Sequence, residues 1–492
     1  MPVAEGSSPA PIRFLYRHLQ VKDLRQPPWL PGGLAIVAVL AATIARAPIV
    51  PAAARTIPIS YADARAAVVA RAEALPASFK GKTGAEIEAA WPAWVTQHNA
   101  EIRARLERGD EDSLVNFWLY GTSFTRLPRA TDRDLARLGD KEKAADLLGA
   151  RLDDLVTALA KPGTNERLRF ARQVIERHGI SPDTSAGQDQ ARAYLIDVRS
   201  RVVADNDRYR RVSQSAAQIG DQAERLNAYS TLFRDRGLSS DTSLRPGFAI
   251  ETTLAAMKGS GRLTQVRRVG IVGPGLDFSD KAEGYDFYPQ QTIQPFGVVD
   301  SLLRLGFSRA GELTPTTFDL SPRVNQHLEA ARQRAAKGSS YVLQLPLDMK
   351  DPAHEWHPDL VSYWRTFGSE IGVSSVALRP PRGAEGVQVR AVRVRPAIVS
   401  AMQVRDVNIV LERTDETPFD LIVATNILVY YDAFEQALAL TNVAKMLRPG
   451  GFLLTNYAVS PLPPMEAEAS LVTPVFWDRQ GNGDTLFWYQ RR

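Results

Sequence analysis

The stretch that most constrains this chain is residues 419–457, FDLIVATNILVYYDAFEQALALTNVAKMLRPGGFLLTNY. Residues 419–425 form an apolar run without alternation, the pattern of a parallel strand buried on both faces. Over 433–447, Phe434, Ala437, Leu440, Ala444 and Leu447 recur at helical spacing. Arg448-Pro449-Gly450-Gly451 then ends the helix, because proline cannot extend it and glycine takes a left-handed exit cheaply. Residues 452–455 make the next strand. Such a strand–helix–strand crossover predicts an α/β sheet with a ligand crevice at the carboxyl ends of its strands.

With 492 residues the chain is long enough for two or three domains. Its net charge of +5 is small for that length, and Lys and Arg are interspersed with acids, so nucleic-acid binding is not expected. Cysteine is absent, which excludes disulfides, thiolate nucleophiles and cysteine-based metal sites.

Five segments follow from the pattern. Residues 1–54 hold basic residues and an apolar run, cleanest over 32–45 and flanked by small residues; it is read as a signal or a membrane anchor. Residues 55–184 alternate helical stretches with short Pro/Gly breaks, an all-α domain in which His178 is a core-edge residue. Within 185–236, apolar residues from Ala191 to Phe233 advance in alternating four- and three-residue steps, interrupted by Asp205 and Ser230. That heptad pattern predicts a long helix of roughly 65 Å at ~1.5 Å per residue. It either packs within the chain or forms a homodimer through 191–233, and its seam alanines and Gly220 favour the first. Residues 237–247, GLSSDTSLRPG, are turn-rich and read as a linker. Residues 248–492 read as α/β and close with a hairpin whose arms are 471–477 and 485–490.

The chemistry-bearing residues lie in that last segment. VRRVGIVGPGLDF, residues 266–278, is a strand followed by Gly273 and Gly275, which let the backbone turn and approach a ligand. A third glycine is missing, so the pair alone is also explained by a plain turn. Residues 316–335 look like a strand ending at Asp319, then Ser321-Pro322 opening a helix. A strand-end acid can accept from both hydroxyls of a ribose; its bland alternative is a capping aspartate.

Glycine turn, Asp319, FDLIVATN, YYD and LRPGGFLLTNY, in that order, resemble class I S-adenosylmethionine-dependent methyltransferases over residues 248–492. The stretch NILVYYDAFEQALALTNVAKMLRPGGFLL is locally similar to the chemotaxis-receptor methyltransferases. The resemblance implies a Rossmann-like, mostly parallel seven-stranded sheet with an antiparallel last strand. It implies S-adenosyl-L-methionine as cofactor, with Gly273 and Gly275 at its methionine portion and Asp319 at the ribose. Asp406 and Val407 would lie near the adenine, and Asn426 with the following residues would border the methyl group and the acceptor. Two features depart from the family. Ile271 stands where an acid usually precedes the first glycine, and the interval from Gly275 to Asp319 exceeds the ~20 residues usual there. That interval contains 283–291, EGYDFYPQQ, read either as a lid or acceptor-binding loop or as a packed insertion.

A proton acceptor is needed only if the methyl acceptor must lose a proton. Tyr288, Tyr430, Tyr431 and Asp432 are the candidates, with packing as the alternative for each tyrosine. His354 and His357 have metal-compatible spacing but no third ligand, so no metal site is expected. The leading expectation is methyl transfer to an unidentified acceptor by a membrane-associated protein with a helical stalk. The alternative is a degenerate, non-catalytic scaffold; a nicotinamide-dependent oxidoreductase is disfavoured by the missing third glycine.

Overall fold

In the computed structural model, β2 (Arg268–Val272), β3 (Thr314–Asp319), β7 (Gln403–Asp406), β9 (Phe419–Val423) and β10 (Leu447–Thr455) pair in parallel. The sheet closes with the antiparallel pair β11 (Met465–Phe476) and β12 (Gly483–Arg491), in the order β11-β12-β10-β9-β2-β3-β7. This is the seven-stranded, mostly parallel sheet that the resemblance implies. The residues described are 55–131, 135–136, 138–219, 236–242, 245–278, 286–349, 356–380 and 387–492. The apolar run of 1–54 and the second half of the heptad seam, 220–235, lie outside them. Among the described residues no helix is long and apolar enough to cross a membrane.

The central strands are apolar on both faces because helices cover both. On one side, α6 (Pro246–Gly259) and α7 (Gln294–Arg304) pack over Val269, Ile271, Leu421 and Val423. On the other, α11 (Ala433–Met446) contributes Phe434, Leu438 and Val443 to a cluster with Val272, Phe318 and Ile422. Asp432 and Glu435 start α11 with a reciprocal capping box, so the Asp432 carboxylate accepts the N–H groups of Phe434 (3.0 Å) and Glu435 (2.9 Å). That role removes Asp432 from the candidate bases. The helix stops at Met446, as the RPGG sequence predicts, and Gly450 at φ 75° allows a bulge in β10 between Leu447 and Phe452.

One addition was not anticipated. After α8 (Pro322–Ala336), the strands β4 (Tyr341–Met349), β5 (Gly372–Ser375) and β6 (Val387–Val394) form a separate antiparallel sheet, order β4-β6-β5, with α9 (Pro358–Thr366) against it. The chain rejoins the main sheet through α10 (Pro396–Ala401).

The helical half is α1 (Tyr61–Ala70), α2 (Gly84–Tyr120), α3 (Lys141–Ala160), α4 (Glu166–Arg177) and α5 (Ser185–Ala217). It is not a stalk. Ile87, Trp91, Val95 and Ile102 of α2 belong to the same core as Val272 and Phe434, and β1 (Thr56–Pro58) pairs with β8 (Glu412–Thr414). Residues Ala53–Arg492 thus form one compact unit. The predicted single helix through Phe233 is also corrected: α5 ends at Ala217. Its seam residues Ala191 and Leu195 are buried with Leu114, Leu155 and Ile175, so this part of the seam is used within the chain. His178 caps α4, its ring 4.7 Å from that of Tyr194.

Candidate functional site

A cleft opens at the carboxyl ends of β2, β3 and β9, where strand order places the turn after each strand beside the next. Its walls enclose about 770 Å³ including the open mouth. Gly273, Gly275, Asp319, Val407, Asn426 and Tyr430 all line it, together with Tyr431. Asp406 and Tyr288 do not. Asp406 pairs with Arg103 of α2 at 2.8 Å, because it is the outward residue at the end of an edge strand. The Tyr288 hydroxyl donates to Asp277 at 2.7 Å, away from the cleft.

Asp319 is the most constrained of these groups. Its carboxylate accepts the N–H of Ser321 at 2.8 Å and that of Gly275, joining the end of β3 to the glycine turn. The residue is 9% exposed, and burial raises its pKa to about 6 against the opposing effect of those two donors and of Arg323. Burial raises the pKa of both Tyr430 and Tyr431, which favours their protonated, hydrogen-bond-donating form.

Gly273 (φ 63°) and Gly275 (φ 60°) need the left-handed backbone, but close approach matters as much. A Cβ on Gly273 would lie 2.1 Å from Cδ1 of Ile427, and one on Gly275 would lie 3.0 Å from Cβ of Thr242. Part of the space that these glycines free is taken by the protein itself.

Asn426 follows β9 with φ 58°, the one non-glycine residue in that region among those described. Asparagine tolerates this conformation better than other side chains. A pair of 2.7 Å bonds with Asn456 holds it: the Asn426 N–H donates to Asn456 Oδ1, and Asn456 Nδ2 donates to Asn426 Oδ1. Asn456 Nδ2 also reaches Asp484 at 2.9 Å. Backbone strain held by a network at a cleft edge is a feature of functional sites.

Several lining residues were not foreseen. The segment read as a linker supplies Leu238, Ser239, Ser240, Asp241 and Thr242, and α2 supplies Leu106. The linker is bonded into the turn: Thr242 N–H donates to the Leu276 carbonyl, and Leu276 N–H to that of Ser240, both at 2.8 Å. Gln294 at the start of α7 donates to Thr425 at 2.8 Å. A polar SSDT run ahead of a helix carried the only sequence signal for this wall, and turn composition hid it.

The insertion 283–291 is pinned down over its described part. Asp286 accepts the N–H groups of Thr122 (2.6 Å) and Ser123 (3.0 Å), while Gln291 bonds both Asp277 and the backbone of Gln344. Arg167 of α4 donates to the carbonyls of Asp277, Phe278, Asp286 and Tyr288. These contacts make residues 286–291 a packed insertion, not a lid. His357 caps α9, and no cluster of metal-ligating side chains is found among the described residues.

No family model matches the chain, and no curated protein does. Solved structures similar to it include the N-methyltransferase NodS of Bradyrhizobium japonicum, at 14% identity and TM-score 0.25, covering 50% of this chain and 96% of that one. The mitomycin 7-O-methyltransferase MmcR matches at 10% identity and TM-score 0.26, over 83% of this chain and 100% of that one. The carbon methyltransferase CurJ matches at 12% identity and TM-score 0.25, over 82% and 97%. At such scores the overlap is loose and carries nothing by itself. By its own strand order and the cleft at its strand ends, the C-terminal half resembles the class I S-adenosylmethionine-dependent methyltransferases.

Proposed function

We propose that the protein transfers the methyl group of S-adenosylmethionine to an acceptor bound beside Asn426 and Tyr430. The observation that carries this reading is the convergence of Gly273, Gly275, Asp319, Val407 and Asn426, far apart in sequence, on one cleft. The residues present suit the cofactor. Phe318, Val407 and Ile409 offer an apolar wall for a purine, Asp319 an acceptor for ribose hydroxyls, and the glycine turn a backbone surface for the methionine portion.

S-adenosylmethionine supplies an activated methyl group with its own leaving group. What remains for the chain is to align acceptor and methyl and to exclude water. With Tyr430 and Tyr431 held protonated, the cleft suits an acceptor whose lone pair is already free. Asn426, fixed by Asn456, would orient that acceptor through its amide. The apolar sequence of 30–54 supports membrane attachment as a companion proposal, which recovery of the full chain in the soluble fraction alone would overturn.

Calorimetric titration of the full chain with S-adenosylmethionine tests the reading. Binding is expected, and Asp319→Ala should weaken it by about 1–3 kcal/mol, the scale of lost charge-assisted hydrogen bonds. Absence of binding to the wild type would replace this function with a non-catalytic scaffold.

A further inference from the structure

S-adenosylmethionine ends in an α-amino acid, so its ammonium needs an acceptor. The acid that class I enzymes usually carry two residues before the first glycine is Ile271 here, fully buried in the core. Building on the function proposed above, we propose that Asp241, from the segment before α6, takes over that part and binds the cofactor's ammonium.

The placement supports it. Asp241 lines the same cleft as Gly273 and Gly275. Its neighbours on both sides are fastened to the glycine turn: Ser240 accepts from Leu276, and Thr242 donates to it. A Cβ on Gly275 would lie 3.1 Å from the Ser240 carbonyl, so the segment that presents Asp241 touches the turn directly. The methionine portion of the cofactor is assigned to that turn, which puts the carboxylate at the right end of the molecule.

The carboxylate is held but not saturated. Oδ2 accepts the Ser113 hydroxyl at 2.7 Å, and Oδ1 accepts Arg323 Nη2 at 3.2 Å. Each oxygen keeps a lone-pair direction for a further donor. The side chain is only 13% exposed, and burial raises its pKa despite Arg323, with Asp110 adding a like charge nearby. With one cation, Arg323, on one oxygen, the buried carboxylate is stabilised further by an arriving ammonium. Among the described lining residues the other carboxylate is Asp319, whose place at the end of β3 suits the ribose.

Calorimetry on the full chain with two ligands tests this: S-adenosylhomocysteine, and its analogue lacking only the α-amino group. Wild type should bind the analogue about tenfold or more weakly, the scale of one charge-assisted bond. Asp241→Asn should bind S-adenosylhomocysteine as weakly as wild type binds the analogue, and should no longer distinguish the two. Equal affinity of wild type for both ligands, or full discrimination retained in Asp241→Asn, would overturn the proposal. Should Asp241→Asn misfold, Ser113→Ala removes the hydroxyl that holds Oδ2 and should cut the discrimination about threefold; an unchanged ratio would overturn it equally. Wild type that binds neither ligand would sink the function itself, an outcome distinct from binding without discrimination.

Discussion

Asp319 concentrates the consequences of the fold in one carboxyl group. Its pKa of about 6 stands above the ordinary 3.8, so the folded state holds its proton more tightly than the unfolded chain does. The stability this contributes is fully present below pH 3.8 and is lost as pH rises through about 6. At neutral pH the buried charge therefore costs the empty fold on the order of 3 kcal/mol. Asp319→Asn should be more stable than wild type at pH 7–8, with the difference vanishing towards pH 4. Urea melts across that range check this, and a pH-independent difference would mean that burial is not the cause. Cofactor binding should respond in the opposite sense. Ribose hydroxyls need the ionised acceptor, so wild-type affinity should rise from pH 5 to pH 7 more steeply than that of Asp319→Asn, in which only Asp241 still titrates towards its charged form.

At the scale of elements, the sheet was legible and the wall facing it was not. Buried parallel strands announce themselves as apolar runs, and the RPGG stop after α11 has a local cause, so residues 419–457 placed β9 and the helix to within two residues and the end of β10 correctly, although β10 already begins at Leu447 and takes in the RPGG turn. The β4-β6-β5 sheet was missed because half-exposed antiparallel strands such as β5, GVSS, have little apolar content to read. Segment 237–242 was missed for a related reason: serines and aspartate read as a turn until a partner surface exists. That surface is α2. Leu238 N–H donates to the Arg105 carbonyl at 3.0 Å, and the two backbones meet at Gly109 and Gly237. A Cβ on Gly109 would stand 1.9 Å from the Leu238 carbonyl oxygen. Gly109→Ala should thus push the segment out of the cleft, costing about 1–3 kcal/mol of stability as overpacking does, although alanine favours a helix. Affinity for S-adenosylhomocysteine should fall with it. A variant as stable as wild type with unchanged affinity would show that the segment does not depend on α2.

At the scale of the whole molecule, one core joins the sheet-bearing half to the helices before it. Composition and turn signals placed a boundary at 237–247, yet the core crosses it. Trp91 of α2 stacks on Phe79, and Trp94 lies tilted against Phe79 and packs on Phe434 of α11. The His98 ring lies 2.9 Å from Glu435, Asn99 donates to Glu412 at 2.6 Å, and Arg105 donates to the Tyr430 carbonyl at 2.8 Å. Removing the helical half would expose the apolar flank of α11 and leave Glu435 and Glu412 without these partners. It would also take away Leu106 and the support of Asp241 from Ser113. A fragment of residues 246–492 should therefore unfold without a cooperative transition, bind a hydrophobic dye, and fail to take up S-adenosylhomocysteine. The full chain, under the same conditions, should melt cooperatively and bind. A fragment that melts cooperatively and binds as tightly as the full chain would restore the domain boundary, and would show that α2 only leans on a cleft already complete without it.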